Sequence, residues 1–170
     1  VTDDLQLVRS AIAGDRLALA TIVRETQEHV WRYCAYLGRG TDTDDLVQDT
    51  YLRALRSLSR YEGRSSLRTW LLSIARRVCA DAVRSARRRR AIDALLVRER
   101  AVGDPGDRVA YGMLINALAP DRREAFVLTQ IVGLPYADAA EVCGVPTGTI
   151  RSRVARARDD LHAELTEGTA

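Results

Sequence analysis

Residues 136–158, YADAAEVCGVPTGTIRSRVARAR, constrain the fold more than any other stretch: two short helical patterns flank a forced turn, and the second carries one sign of charge. Ala139, Ala140 and Val142 are small apolar residues that let a partner helix approach closely. Gly144 with Pro146 then stops the first helix and redirects the chain. A new helix starts at once. Thr147 and Thr149 are placed to cap its free amides, which with the helix dipole suit a phosphate. Ile150 and Val154 give it a buried stripe. The other face presents Arg151, Ser152, Arg153, Arg156 and Arg158, with no acidic residue between Thr147 and Arg158. Like charges at helical spacing repel one another, so this face is best matched by a polyanion; the plainer alternative is a solvated basic helix. The pattern is that of a helix-turn-helix whose second helix enters a DNA groove.

The net charge of +3 conceals an asymmetry along the chain. Residues 1–50 hold five arginines against nine acids, residues 51–100 fourteen against four, and residues 101–170 seven against ten. The central segment is therefore a second candidate nucleic-acid surface. All 26 basic residues are arginine, a bias that fits GC-rich coding as well as function, so each arginine is not read as a ligand. Ala, Leu and Arg dominate, so helix is expected almost throughout, and 46% hydrophobic residues suffice for packed cores in one domain or two small ones.

Several chemistries are absent from the pattern. Cys34, Cys79 and Cys143 are far apart and in no metal-binding spacing, so they read as small buried side chains. His29 and His162 read as surface or helix-end residues. There is no nucleophile motif, phosphate loop or metal motif, so neither catalysis, a metal nor a cofactor is expected. No apolar run approaches the ~20 residues that span a bilayer, and the N-terminus is not signal-like, so a cytosolic protein without direct membrane insertion is expected.

Helical periodicity divides the chain. Leu5, Val8 and Ile12 form a first stripe, and a second helix runs from about Leu17 to Leu37 through Ile22, Val30, Tyr33 and Cys34. Thr43 looks like the cap of a third helix, with Asp44 and Asp45 favourable in its first turn and Val47, Tyr51, Leu55 and Leu58 as its core stripe. Its other face shows Asp45, Gln48, Asp49, Leu52, Arg53 and Arg56. Ser65 or Ser66 caps a long helix through Trp70, Leu71, Ile74, Val78 and Val83, whose arginines form a cationic side that one DNA strand could follow. Trp70 reads as core rather than as a base-stacking platform, and the run Arg87–Arg90 as a general phosphate contact or a solvated end. Residues 102–107, VGDPGD, are the clearest break. Beyond it Leu114, Leu118, Phe126, Val127, Leu128 and Ile131 supply a small core, with Pro120 opening a helix.

These pieces together resemble the extracytoplasmic function, or group IV, sigma factors of bacterial RNA polymerase, of the actinobacterial type. The matching segments are DDLVQDTYLRAL (44–55), RYEGRSSLRTWLLSIARRVCADAVR (60–84) and LAPDRREAFVLTQIVGLPYADAAEVCGVPTGTIRSRVARAR (118–158), in the family's order. The resemblance implies an all-α chain of two small helical domains joined by a flexible linker. Residues 1–91 would form the sigma-2 domain, 92–108 the linker, and 109–170 the sigma-4 helix-turn-helix domain.

It also implies roles. Asp45, Gln48, Asp49 and Leu52 would dock on the clamp coiled coil of the core polymerase. Arg64, Ser65 and Ser66 in a loop, with Ser73, Arg76, Arg77, Arg84 and Arg88 on the long helix, would bind the opened −10 strand and its flipped base, offsetting the few kcal/mol lost in unstacking. Arg77 stands where many members carry Asn, so the family's −10 base preference is not carried over. In the −35 major groove, Arg151 and Arg153 would meet guanines and Thr147, Thr149 and Arg156 phosphates, with Ser152 beside them. Partners would be core RNA polymerase, promoter DNA and, as is common in the family, an anti-sigma factor. The chain's end soon after the recognition helix would leave no room for the extra C-terminal domain of some relatives.

The resulting expectation is a non-catalytic promoter-specificity subunit. An autonomous helix-turn-helix transcription regulator is the alternative, but it predicts a ligand-binding or receiver domain where this chain has a second Arg-rich surface. A metal-dependent nuclease would need an acidic cluster; Asp42, Asp44, Asp45 and Asp49 are better explained by a helix start and docking.

Overall fold

The computed structural model describes residues 2–96 and 108–167, with side chains described for 3–89 and 112–166; the expected 102–107 break lies outside the described residues. All regular structure there is helical: α1 Thr2–Ile12, α2 Arg16–Leu37, α3 Thr43–Ser57 with a 3-10 turn Leu58–Arg60, α4 Leu67–Leu96, α5 Arg108–Ala117, α6 Pro120–Phe126 continued by a π-helical turn Val127–Ile131, α7 Tyr136–Cys143 and α8 Thr147–Glu167. Helix α4 continues to Leu96, past residue 92 where the linker was expected to begin.

In the N-terminal domain α4 packs on α2 and α3, and α1 on α2. Val30, Tyr33, Cys34, Leu71, Leu72, Ala75, Val78 and Cys79 form the centre of the core, each at most 2% exposed. Removing each large aliphatic side chain from water contributes about 1.5–3 kcal/mol, which holds the arginine-bearing α4 in place. The buried side of α3 is rotated from the expected stripe. Leu46, Thr50 and Ala54 face inward, Val47 and Tyr51 are half-buried, and Leu55 is 44% exposed. Thr50 is admitted to the core because its hydroxyl donates to the Leu46 carbonyl at 2.7 Å, leaving no unsatisfied donor. Ile12, expected in the α1 stripe, is 52% exposed at the helix's last position, where no neighbour covers it.

Helix starts follow carboxylates more than hydroxyls. Asp42, not Thr43, caps α3, accepting from the amides of Asp44 and Asp45 at 2.8 and 3.2 Å. Asp15 does the same for α2. Ser66 caps α4, its Oγ accepting from the Thr69 amide at 3.1 Å. At α8 the Pro146 carbonyl accepts from the amides of Thr149 and Ile150, so Pro146 occupies the cap position expected of the threonines.

In the C-terminal domain α8 packs on α6 and α7. Ala139 and Ala157 are fully buried, so the helices of the helix-turn-helix approach closely. Gly144 between them is left-handed (φ 68°, ψ 37°), and the Val145 amide turns back to the Ala140 carbonyl at 3.1 Å. Arg123 is 2% exposed: Nε donates to the Ile115 carbonyl (2.9 Å) and Nη2 to those of Asn116 and Leu118, so one guanidinium closes the end of α5. Burial, and then Arg39 nearby, lower its pKa to about 10, and it stays charged at neutral pH. Replacing it by alanine strands those carbonyls. R123A should lose at least about 3 kcal/mol of stability in urea unfolding, with R123K falling between it and the wild type.

Candidate nucleic-acid and polymerase interfaces

The outer face of α3 presents Asp45, Gln48 and Leu52 to solvent, Leu52 with 46% of its surface exposed. Leu55, rotated out of the core, adds a second large apolar side chain to the exposed surface of this helix. Asp49 is drawn away from the other three. Arg53 forks onto its carboxylate (Nε 3.2 Å, Nη2 2.9 Å) and reaches Asp81 on α4 with Nη1 at 2.8 Å. These bonds raise the Arg53 pKa, chiefly through Asp81 and then Asp49, and Arg53 in turn lowers that of Asp81. Asp49 thus belongs to a tie between α3 and α4.

The loop before α4 is built by α1 as much as by its own sequence. Gly63 takes φ 69°, and a Cβ there would stand 2.7 Å from Leu5, so the chain can pass only as glycine. Asp4 Oδ2 accepts from the Leu67 amide at 2.9 Å, and the Tyr61 hydroxyl donates to the Ser65 carbonyl at 2.8 Å. Burial, then Asp4, push the Tyr61 phenol up to about 12, keeping it a donor. Trp70 stands edge-on to Tyr61, ring centroids 5.5 Å apart, and is half-buried against the core. It also lines an open cleft of about 230 Å³ with Arg60, Tyr61, Arg64 and Ser65. Core packing and cleft lining coincide in one ring.

Of the residues expected to follow the −10 strand, Arg64, Arg77, Arg84 and Arg88 are exposed, Arg64 paired with Glu62 and Arg84 with Asp81. Ser66 is spent on the cap, and Ser73 donates to the Thr69 carbonyl at 3.1 Å. Arg76 is engaged across the domains. Its Nε and Nη2 fork onto Glu124 of α6 at 2.8 and 3.3 Å, and the buried Tyr33 hydroxyl donates to the same carboxylate at 2.8 Å. Burial, then Glu124, raise the Tyr33 pKa well above its ordinary value, and the bond to Glu124 raises that of Arg76. Thr69, fully buried, donates to Asp138 of α7 at 3.0 Å. Arg32 of α2 donates to the Ile131 carbonyl at 3.3 Å.

On α8, Ile150, Val154 and Ala157 are buried while Arg151, Ser152 and Arg156 face solvent; Thr147 and Thr149 are half-buried at its start. Arg153 is turned toward α6, with Nε 3.2 Å from Asp121. The structure therefore brings Arg151, Ser152 and Arg156 onto one open face and sets Arg153 at its edge.

The cysteines are free and buried, as the pattern suggested; Cys34 and Cys79 come within 3.8 Å, a contact no spacing announced. Among the described residues no group of His, Cys, Asp and Glu could hold a metal ion, and no helix is long and apolar enough to cross a membrane. His29 is half-buried rather than on the surface, its Nε2 3.4 Å from Arg68 and its buried Nδ1 without a hydrogen-bond partner.

Comparison with known proteins agrees with this geometry. Residues 22–89 match the model of sigma-70 region 2, and residues 108–161 that of sigma-70 region 4. The chain is 48% identical over 166 residues to ECF RNA polymerase sigma factor SigC of Mycobacterium tuberculosis, covering 93% of this chain and 89% of that one. It is 37% identical over 134 residues to the ECF sigma factor EcfG of Rhodopseudomonas palustris, covering 75% and 74%. Among solved structures, CnrH in complex with the cytosolic domain of CnrY has a TM-score of 0.77 at 27% identity, covering 96% and 97%. Sigma factor RpoE in complex with the anti-sigma factor NepR, from Bartonella quintana, has a TM-score of 0.68 at 31% identity, covering 84% and 95%.

The His29 environment sets a pH dependence. Burial first, and then Arg68, lower its pKa from 6.5, so the folded protein binds this proton less readily than the unfolded chain. The associated stability is complete above pH 6.5 and is lost as pH falls from there through the lowered folded value. In urea unfolding at pH 7.5 and 5.5, H29Q should lose less stability on acidification than the wild type; an identical loss would show that His29 is not the titrating group.

Proposed function

Because this chain belongs to the extracytoplasmic function sigma factors of the sigma-70 family, we propose that it binds core RNA polymerase through the outer face of α3 and directs it to promoters with α4 and α8. The observation that carries this reading is the presence, on one chain, of two separate arginine-rich helical faces beside an exposed polar-apolar face on α3 that has no counterpart in a lone helix-turn-helix. Asp45, Gln48 and Leu52 supply the polymerase contact, and Asp49 supports it by tying α3 to α4 through Arg53. Leu52 is the anchor: a half-exposed apolar side chain ringed by polar groups is the pattern of an interface hot spot.

Once polymerase is bound, Arg76, Arg77, Arg84 and Arg88 follow the displaced strand by charge, while the cleft beside Trp70, with Arg64 and Ser65 at its mouth, receives an unstacked base. Arg151 and Arg156 of α8 read and grip the −35 duplex, with Ser152, Thr147 and Thr149 contacting its backbone and Arg153 joining if it leaves Asp121. The protein has no catalysis of its own: nucleotide addition belongs to the polymerase. It acts in the cytoplasm, where polymerase and chromosome are. The structure of RpoE in complex with the anti-sigma factor NepR supports an anti-sigma factor as a further partner.

Two variants separate docking from DNA recognition. L52E with Q48A should weaken capture of core polymerase by at least about tenfold without moving the unfolding midpoint, since both side chains are exposed. R84A with R88A should still capture polymerase but lose promoter opening, followed by permanganate reactivity of −10 thymines. Wild-type capture by the first variant would refute the α3 assignment, and wild-type opening by the second that of α4.

A further inference from the structure

Two of the three cysteines face each other where α2 packs on α4. Cys34 and Cys79 are 45 residues apart in sequence and both buried, yet their sulfurs stand 3.8 Å apart, with the Cys79 thiol donating to Cys34. A disulfide holds its sulfurs at about 2.0 Å, so the pair needs to close by only about 1.8 Å, within reach of small χ1 turns on two facing helices. The same contact favours loss of one proton: the bond from Cys79 lowers the Cys34 pKa, and the S–H that remains is shared by both sulfurs. Cys143, buried on α7, makes no sulfur contact among the described residues, and burial, then Glu124, push its thiol up to about 12. The pair is buried but not sealed. Cys79 forms part of the wall of an open cleft of about 390 Å³ that Arg39, Arg76, Arg84, Arg87 and Arg123 also line. Charged groups hold water in such a cleft, so a small, uncharged, polar oxidant can reach the wall.

We propose that Cys34 and Cys79 are a peroxide-trapping pair, whose reversible cross-link between α2 and α4 keeps oxidation from disrupting the core of the N-terminal domain. With the shared proton on Cys34, the Cys79 thiolate attacks one oxygen of hydrogen peroxide. An S–O bond forms, the O–O bond breaks, and the departing hydroxide takes up the proton already lost, leaving as water. Cys34 then attacks the sulfenic sulfur: the S–S bond forms, the S–O bond breaks, and the Cys34 proton leaves with the oxygen as a second water. Two thiols have given two electrons and two protons to one peroxide. Without Cys34, the sulfenic acid would meet further peroxide and become a sulfinate. That product is an anion, irreversibly placed beside Ala75 and Val78, which are at most 1% exposed. The disulfide is apolar instead, and cellular thiols reverse it. A reducing compartment otherwise keeps the pair as thiols. The site lies inside the N-terminal domain and is independent of the polymerase and promoter reading.

The test treats the full chain with hydrogen peroxide, alkylates it under denaturing conditions and maps its tryptic peptides. Met113, exposed and the chain's single methionine, should gain one oxygen in every sample and shows that the oxidant acted. In the wild type, residues 33–39 should be joined to residues 78–84, with Cys143 still alkylated, and dithiothreitol should release both peptides. The cross-link should raise the thermal unfolding midpoint by on the order of 10 °C. In C34S, peroxide should convert Cys79 to a sulfinate that dithiothreitol does not reverse, and the midpoint should fall. In C79S, Cys34 should stay a thiol, because Cys79 and not Cys34 lines the cleft. Three alkylated cysteines in the wild type once Met113 is oxidised overturn the proposal, as does a linkage through Cys143 or between two chains; this mapping needs neither variant to fold. A C34S protein as stable after peroxide as before it overturns the protective role, and ready oxidation of Cys34 in C79S overturns entry at Cys79.

Discussion

Helix α4 is the constraint on which the rest of the structure depends. It carries eight arginines, and a helix so charged has no reason to stay ordered unless one side is buried. Leu71, Leu72, Ala75 and Val78 provide that side, almost wholly removed from water between α2 and α3. The opposite side must then meet anions. In the free chain these are Glu124, which takes Arg76, and Asp81, which takes Arg84; in the proposed function they are phosphates. The same division recurs in miniature on α8, where Ile150, Val154 and Ala157 pin a helix whose outer arginines face solvent.

The loop ahead of α4 shows how a binding surface is set by residues that never touch the ligand. Asp4 of α1 accepts from the first amide of α4, Gly63 slips past Leu5, and Tyr61 fixes the Ser65 carbonyl. Arg64 and Ser65 gain a defined position from these contacts and contribute little to making them. Similarly, Arg123 serves no interface through its charge; it closes α5 so that α6, and with it Glu124, is held at one height.

Most of this was legible in the residues. The helix-turn-helix, the arginine face of α4 and the exposed α3 face follow from periodicity and charge, because each is a property of one helix. What periodicity misjudged were local choices between neighbours. A threonine that satisfies its own hydroxyl on the preceding turn can be core, so Thr50 displaced the expected Leu55. A carboxylate one residue ahead out-competes a hydroxyl at a helix start, so Asp42 displaced Thr43. Contacts that join helices distant in the chain were not legible at all. Glu124 meets residues 91 and 48 positions away, and Asp138 one 69 away, with no motif marking any of them. Arg76 and Arg153 read from periodicity as open-face arginines of their helices, yet each is half-buried and turned by an acid that only the fold brings near.

That this chain gives RNA polymerase its promoter choice is tested most directly by transcription with purified core polymerase from a randomised promoter library, with RNA 5′ ends sequenced with and without the protein. Start sites should depend on the protein and lie at fixed distances from two shared DNA elements, one opened and one read as duplex. No protein-dependent starts, together with tight binding of the protein to duplex DNA in the absence of polymerase, would contradict it and identify an autonomous regulator instead.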